Sequence, residues 1–206
     1  MIHPDTELRF IRAEIGFGVV ATKPIPRGSI TWVQDPLDQV FPPDGLDALG
    51  PLYAEILRKY TYPNLDGSHV LCWDLGRYVN HSCAPSCLGG GYNFELAVRD
   101  IGAGEELTDD YASLNLTDSF ECRCGAAGCR GVVREADALD CADAWDRLVG
   151  AAFPMIAGTP QPLWPLVKEK QQVQDAIAGK RPVLSCRRNL RAFLGRPQSR
   201  AARATL

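Results

Sequence analysis

The stretch Tyr78-Val79-Asn80-His81-Ser82-Cys83-Ala84-Pro85-Ser86-Cys87 carries no charge, yet it is dense in hydrogen-bonding side chains and holds two thiols. Farther on, Cys122-Arg123-Cys124-Gly125-Ala126-Ala127-Gly128-Cys129 sets three more thiols within eight residues. Zinc suits that spacing: thiolates lie about 2.3 Å from the ion in a tetrahedron, so the loop must curl tightly. Gly125 and Gly128 permit the backbone conformations such a curl needs. Three ligands leave a structural site one short. Cys83 or Cys87 would complete it and pin the later loop against the Asn-His-Ser segment. Cys72, Cys141 and Cys186 stand alone and read as small hydrophobes.

The totals are those of an ordinary globular chain: 206 residues, 46% hydrophobic and 23% charged. That is enough for one domain with an appendage. No apolar run approaches the roughly 20 residues of a membrane span, and MIHPDTELRF lacks a basic-then-apolar secretory signal. A cytoplasmic or nuclear, reducing compartment is therefore expected, and the eight cysteines do not read as a disulfide scaffold. Lys180, Arg181, Arg187, Arg188, Arg191, Arg196, Arg200 and Arg203 end the chain without an acid. Against a whole-chain net of -3, those eight charges leave -11 on the first 179 residues. The acidic body favours a basic partner, and the arginine-rich end offers a possible nucleic-acid contact.

Local patterns divide the chain. ELRFIRAEIGFGVVATKPI reads as two short strands around Gly16-Phe17-Gly18, followed by a strand in SITWV. PLYAEILRKY reads as a helix with Pro51 in its first turn and Leu52, Ile56, Leu57 and Tyr60 along one side. HVLCW reads as a strand leading into the Asn-His-Ser segment, and NFELAVRDIGAGEELTDDY as strand, glycine turn and strand ending at Tyr111. Beyond Arg134, Leu139, Ala142, Trp145, Leu148, Val149 and Phe153 recur at helical spacing. A second helix is expected from Pro165, with Val173 and Ile177 on one face and Gly179 as its stop.

The order GFG, RYVNHSCAPSC, GEELTDDY, CRCGAAGCRG resembles the SET-domain protein lysine methyltransferases with a post-SET zinc loop. The resemblance covers roughly residues 8 to 132. It implies an α+β, mainly β fold with a knot-like NHSC segment: a SET domain over 8–112, a post-SET zinc loop over 118–132, and a helical carboxy-terminal extension over 135–206. It further implies that S-adenosylmethionine lies across Gly16, Phe17, Gly18, Arg77, Asn80 and His81. It makes Cys83 the fourth ligand of a structural zinc beside Cys122, Cys124 and Cys129, with Cys87 in reserve. It makes Tyr111 the catalytic tyrosine, and a lysine on a basic protein, histone among the candidates, the methyl acceptor.

Three departures qualify the resemblance. The residue two before the tyrosine is usually aromatic or apolar and here is Asp109. In a strand, positions 109 and 111 share a face, so an ionised carboxylate would face the lysine channel and oppose catalysis, unless the strand bends, Asp109 is protonated or the substrate geometry is unusual. No aromatic follows the zinc loop closely, which leaves Trp145 as a candidate channel ring. No cysteine-rich segment precedes the domain, and the insert between Trp32 and His69 is short. Two other readings compete: a catalytically silent fold that binds a lysine-containing partner, and a zinc-containing nucleic-acid module, for which Phe193 is the sole stacking aromatic in the basic end.

Overall fold

Thr6–Arg12 and Gly16–Ala21 pair antiparallel, Thr6 opposite Ala21 and Arg12 opposite Gly16. The computed structural model describes residues 1–194. Arg196, Arg200 and Arg203 of the basic end lie outside the described residues. Gly16-Phe17-Gly18 was expected to make the turn of this hairpin. The turn instead falls on residues 13–15, and the glycine motif is the opening of the second strand. Gly18 is there because of what crosses it: a Cβ at this position would lie 2.8 Å from Asn80 Nδ2 and 2.9 Å from Ile11 Cγ1.

Ile30–Val33, Phe94–Ala97 and Cys87–Gly89 form a three-stranded antiparallel sheet with Phe94–Ala97 in the middle. A second sheet runs Gln39–Phe41, His69–Leu71, Thr61–Pro63. The connection that matters for function is the smallest. Asn80–His81 pairs in parallel with Thr108–Asp109, Asp109 opposite His81, and Ser82 N–H donates to Asp109 O at 2.9 Å. The polar segment is thereby laid beside the end of the GEELTDDY motif. Phe120–Glu121 pairs with Val132–Val133 and closes the cysteine loop at its base.

Pro51–Tyr60 is a helix as expected, but it buries Ala54 alone, and Leu52 and Ile56 are 68% and 51% exposed. Asp137–Ala152 is also helical, with Ala138, Ala142, Trp145, Val149 and Ala152 buried. That spacing of four and three makes one stripe; Leu148 falls one position beside it and is 40% exposed. The helix expected from Pro165 is broken in two. Trp164–Leu166 makes a single tight turn, Val167 is extended, and the helix proper is Lys170–Ile177. Leu163 and Val167 both sit in the core.

One buried cluster runs from Ile30 and Leu96 through Trp145 and Phe153 to Leu190. Residues 137–190 therefore share a core with the three-stranded sheet. A second cluster, with Val19, Ile25, Ile101 and Leu107, underlies the glycine motif. Among the described residues no helix is long and apolar enough to cross a membrane.

Candidate active site and sulfur cluster

Tyr111 opens a short turn, Tyr111–Leu114, that Asp110 caps by accepting from Ala112 N–H at 3.2 Å. Its own N–H donates to His81 Nδ1 at 3.1 Å, and its hydroxyl donates to Val79 O at 2.8 Å. The ring packs against His81 and Phe120, with centroids 5.5 and 5.9 Å away. Burial, helped by Asp109 and Glu106, pushes the phenol further above its ordinary value. The group is therefore a neutral hydrogen-bonding hydroxyl at physiological pH.

Tyr111 lines a cavity of about 470 Å³ together with Tyr60, Tyr62, Arg77, Val79 and Leu116. Arg77 Nε is buried there without a hydrogen-bond partner. An orphaned donor of this kind suits an anionic group such as an amino-acid carboxylate. Asn80 Nδ2 donates to Phe17 O at 3.0 Å and to Glu106 Oε1 at 2.7 Å, locking the glycine strand to the polar segment. Phe17 is 54% exposed and meets Phe10 edge-on at 5.7 Å. Gly16, Phe17, Gly18 and Asn80 are thus brought together, and Arg77 and Tyr111 share the neighbouring cavity.

His81 is turned inward. Nδ1 accepts from Tyr111, and Nε2 lies 3.4 Å from Cys83 Sγ. Burial lowers its pKa to about 4, outweighing Asp110, so the ring is neutral. A neutral imidazole that accepts at Nδ1 carries its proton on Nε2. The ring accordingly offers no lone pair to a ligand, and only its main chain remains for one.

Ligand atoms of His81, Cys83, Cys122 and Cys124 lie within 4.8 Å of one another. Cys83 Sγ is 3.8 Å from Cys122 Sγ, and four thiolates at about 2.3 Å around zinc would be about 3.8 Å apart. Cys129 Sγ sits 3.5 Å from Cys122 O, beside this cluster but outside the group whose ligand atoms lie within 4.8 Å of one another. With Nε2 of His81 protonated, Cys129 is the better fourth donor. Gly125, at φ 78°, makes the loop's left-handed bend. Cys87 is elsewhere: it is 1% exposed in the second core cluster, and burial raises its thiol to about 12. The donor set fits zinc.

Asp109 does not face the tyrosine's cavity. The strand stops after it, so the alternation that would align positions 109 and 111 is broken. Asp109 is 2% exposed and meets Glu95; burial, and then Glu95, hold its carboxyl well above the ordinary range. A buried carboxyl facing a half-buried one keeps its proton, because two like charges this close do not both ionise. Trp145, the candidate channel ring, is 3% exposed in the main core and does not line the cavity of Tyr111. The rings beside Tyr111 are those of His81 and Phe120.

Sequence reasoning passed over Phe120, Glu106, Val79 and Arg130. Phe120 stands two before Cys122, and Glu106 lies inside the GEELTDDY motif, so position alone was their signal. In the basic end, Arg187 is engaged by Asp143 at 2.6 Å and Asp146 at 2.8 Å, and it lies over the Phe193 ring. That occupies the one aromatic a nucleic-acid base would stack on.

The sequence profile of the family described as "SET domain" matches residues 16–112. Similar curated proteins include a "Histone-lysine N-methyltransferase, H3 lysine-4 specific" of Schizosaccharomyces pombe, 43% identical over 28% of this chain and 7% of its own length. "Histone-lysine N-methyltransferase ATX2" of Arabidopsis thaliana is 29% identical over 60% of this chain and 12% of its own. "Histone-lysine N-methyltransferase ash1" of Drosophila melanogaster is 33% identical over 64% of this chain and 6% of its own. The chain thus spans at most about an eighth of the length of these relatives.

Proposed function

We propose, from the premise that residues 16–112 are a SET domain, that the chain is a protein-lysine N-methyltransferase using S-adenosylmethionine. A histone or similarly basic protein is its acceptor. The observation that carries the reading is the Tyr111 hydroxyl, fixed on Val79 O in a cavity it shares with the unpartnered Arg77. The relatives' names point the same way, and the acidic body complements a basic acceptor.

Arg77 would pair with the donor's carboxylate, while the main chain of Gly16–Gly18, Asn80 and His81 would border it. When bound, S-adenosylmethionine supplies a methyl group on a sulfonium, so no separate activation of the leaving group is needed. The residues then have to align the amine, exclude water and keep the amine neutral. Holding a lysine neutral at pH 7 costs about 4.6 kcal/mol from a reference pKa near 10.4. The aromatic wall formed by Tyr60, Tyr62 and Tyr111 lowers that cost, because desolvation favours the uncharged amine. Tyr111 orients the amine by hydrogen bonding, since its raised pKa unfits it as a base. Asp109, folded away onto Glu95, is not among the residues that line this cavity; the carboxylates that are, Asp47 and Asp118, are exposed to water, which screens their pull on an ammonium.

Cys83, Cys122, Cys124 and Cys129 would hold a structural zinc. Four thiolates close the sphere and leave no place for substrate. The test is transfer of labelled methyl from S-adenosylmethionine to mixed histones by the full chain. Label on lysine is the expected result. Its absence, with S-adenosylmethionine bound in native mass spectrometry, would leave a silent lysine-binding fold instead.

A further inference from the structure

Arg130 follows the last cysteine of the loop and touches more partners than any charge-balancing role needs. Its backbone N–H and its Nε point at Cys83 Sγ, 3.4 and 3.3 Å away. Nη1 lies 3.5 Å from Cys141 Sγ and 3.3 Å from Asp137 Oδ2. Nη2 donates to Asp110 Oδ1 at 2.5 Å. The guanidinium is only 20% exposed, and Asp110 is 3% exposed. Asp110 Oδ1 is also the atom that caps the Tyr111 turn through Ala112 N–H, and it lies 3.7 Å from His81 Nδ1.

We propose that Arg130 is a positioning residue, a rigid strut that ties the sulfur cluster to the turn carrying Tyr111. The order of that turn then depends on whether the cluster is loaded. This rests on the reading of the four cysteines as a zinc site. The planar guanidinium presents separate N–H groups to the Cys83 sulfur and the Asp110 carboxylate at once, which a single ammonium on a flexible stem cannot do. A loaded cluster fixes Cys83, Cys83 fixes the guanidinium, and the guanidinium fixes Asp110. Emptying the cluster frees Cys83 and Arg130 together, and the cap on the Tyr111 turn loses its anchor.

A role in charge compensation alone makes a different prediction, because lysine would serve it equally well. The experiment is amide hydrogen exchange over residues 107–114 of the full chain, with zinc content read by native mass spectrometry. In the wild type, removing zinc with a chelator should speed exchange there about tenfold. Arg130→Lys should retain one zinc per chain yet exchange at the fast rate, with residues 94–97 unchanged. Arg130→Gln should in addition weaken zinc retention about tenfold, as loss of an outer partner does. Wild-type exchange in zinc-loaded Arg130→Lys overturns the strut. If the wild type carries no zinc, the zinc reading fails by itself; the strut is then judged on Arg130→Lys against wild type directly, unchanged exchange again overturning it. Should Arg130→Lys fail to fold, Arg130→Gln saturated with zinc, whose single amide cannot reach Cys83 Sγ and Asp110 Oδ1 together, is held to the same criterion.

Discussion

The backbone N–H of Tyr111 rests on Nδ1 of His81, 3.1 Å away, although thirty residues separate them in the chain. The ring packs against His81 and Phe120, and its hydroxyl donates to Val79 O.

Tyr111→Phe keeps that packing and deletes the hydroxyl. Methyl transfer should fall about 10²- to 10³-fold, the usual loss for one positioned donor. Stability should drop by about 1 kcal/mol, the worth of one hydrogen bond. Retention of more than about a tenth of the wild-type rate in the labelled-methyl assay would remove Tyr111 from the mechanism.

The two cysteines of the polar segment should separate cleanly. Cys83→Ala should lose bound zinc, since Cys83 Sγ stands 3.8 Å from Cys122 Sγ. Cys87→Ala should keep a full complement and lose only core packing, about 1–2 kcal/mol. Native mass spectrometry and urea unfolding read the two quantities. Zinc retained in Cys83→Ala would refute the assigned ligand set.

The Asp109–Glu95 pair predicts a pH effect of definite sign. Both carboxyls are raised by folding, chiefly through burial. A group whose folded pKa is raised binds its proton more tightly when folded. Its contribution is complete below the unfolded carboxylate value and is lost as pH climbs toward the folded value. Wild-type melting temperature should therefore decline from about pH 5 to about pH 8 more than that of Asp109→Asn, whose amide can still accept from Asp110 N–H. Parallel curves for the two proteins would dismiss the shared proton.

Asn115 is the sole non-glycine with positive φ among the described residues, at 57°. Its amide donates to Pro63 O at 3.1 Å and Asn189 O at 2.8 Å, and its oxygen accepts from Arg191 N–H at 2.7 Å. It clasps the end of the Tyr111 turn to the carboxy-terminal segment. Asn115→Ala should cost about 2–4 kcal/mol through lost hydrogen bonds and left-handed strain. Asn115→Gly removes the strain and should cost less. Urea midpoints give the ranking, and equal losses would discount the strain.

Much of this site was legible because the chemistry is written in residue types at short spacing. Cys122, Cys124 and Cys129 were grouped on spacing alone, and two of them do lie with Cys83 in one cluster of ligand atoms; Tyr111 was picked out by its place at the end of GEELTDDY. Helices 51–60 and 137–152 were legible too, from proline placement and a period of 3.6. What escaped depended on partners distant in the chain. Asp109 was read by strand alternation, which presumes that the strand continues, and the paired run ends there. Trp145 was a free aromatic only until the fold gave it a core to fill. Arg130 looked like one more basic residue, because nothing local distinguishes a strut from a solvated charge.

The chain's own residues settle which chemistries are on offer: thiols for a metal, glycines where a backbone must be crossed closely, a tyrosine, a segment rich in donors and acceptors. Those follow from side-chain structure and need no coordinates. Folding alone chose among them. It put Cys83 rather than Cys87 at the cluster, turned the His81 ring inward, and paired Asp109 with Glu95 instead of the cavity. The reason is that burial and hydrogen-bond satisfaction are properties of spatial neighbours, and a short parallel contact between Asn80–His81 and Thr108–Asp109 decides who those neighbours are.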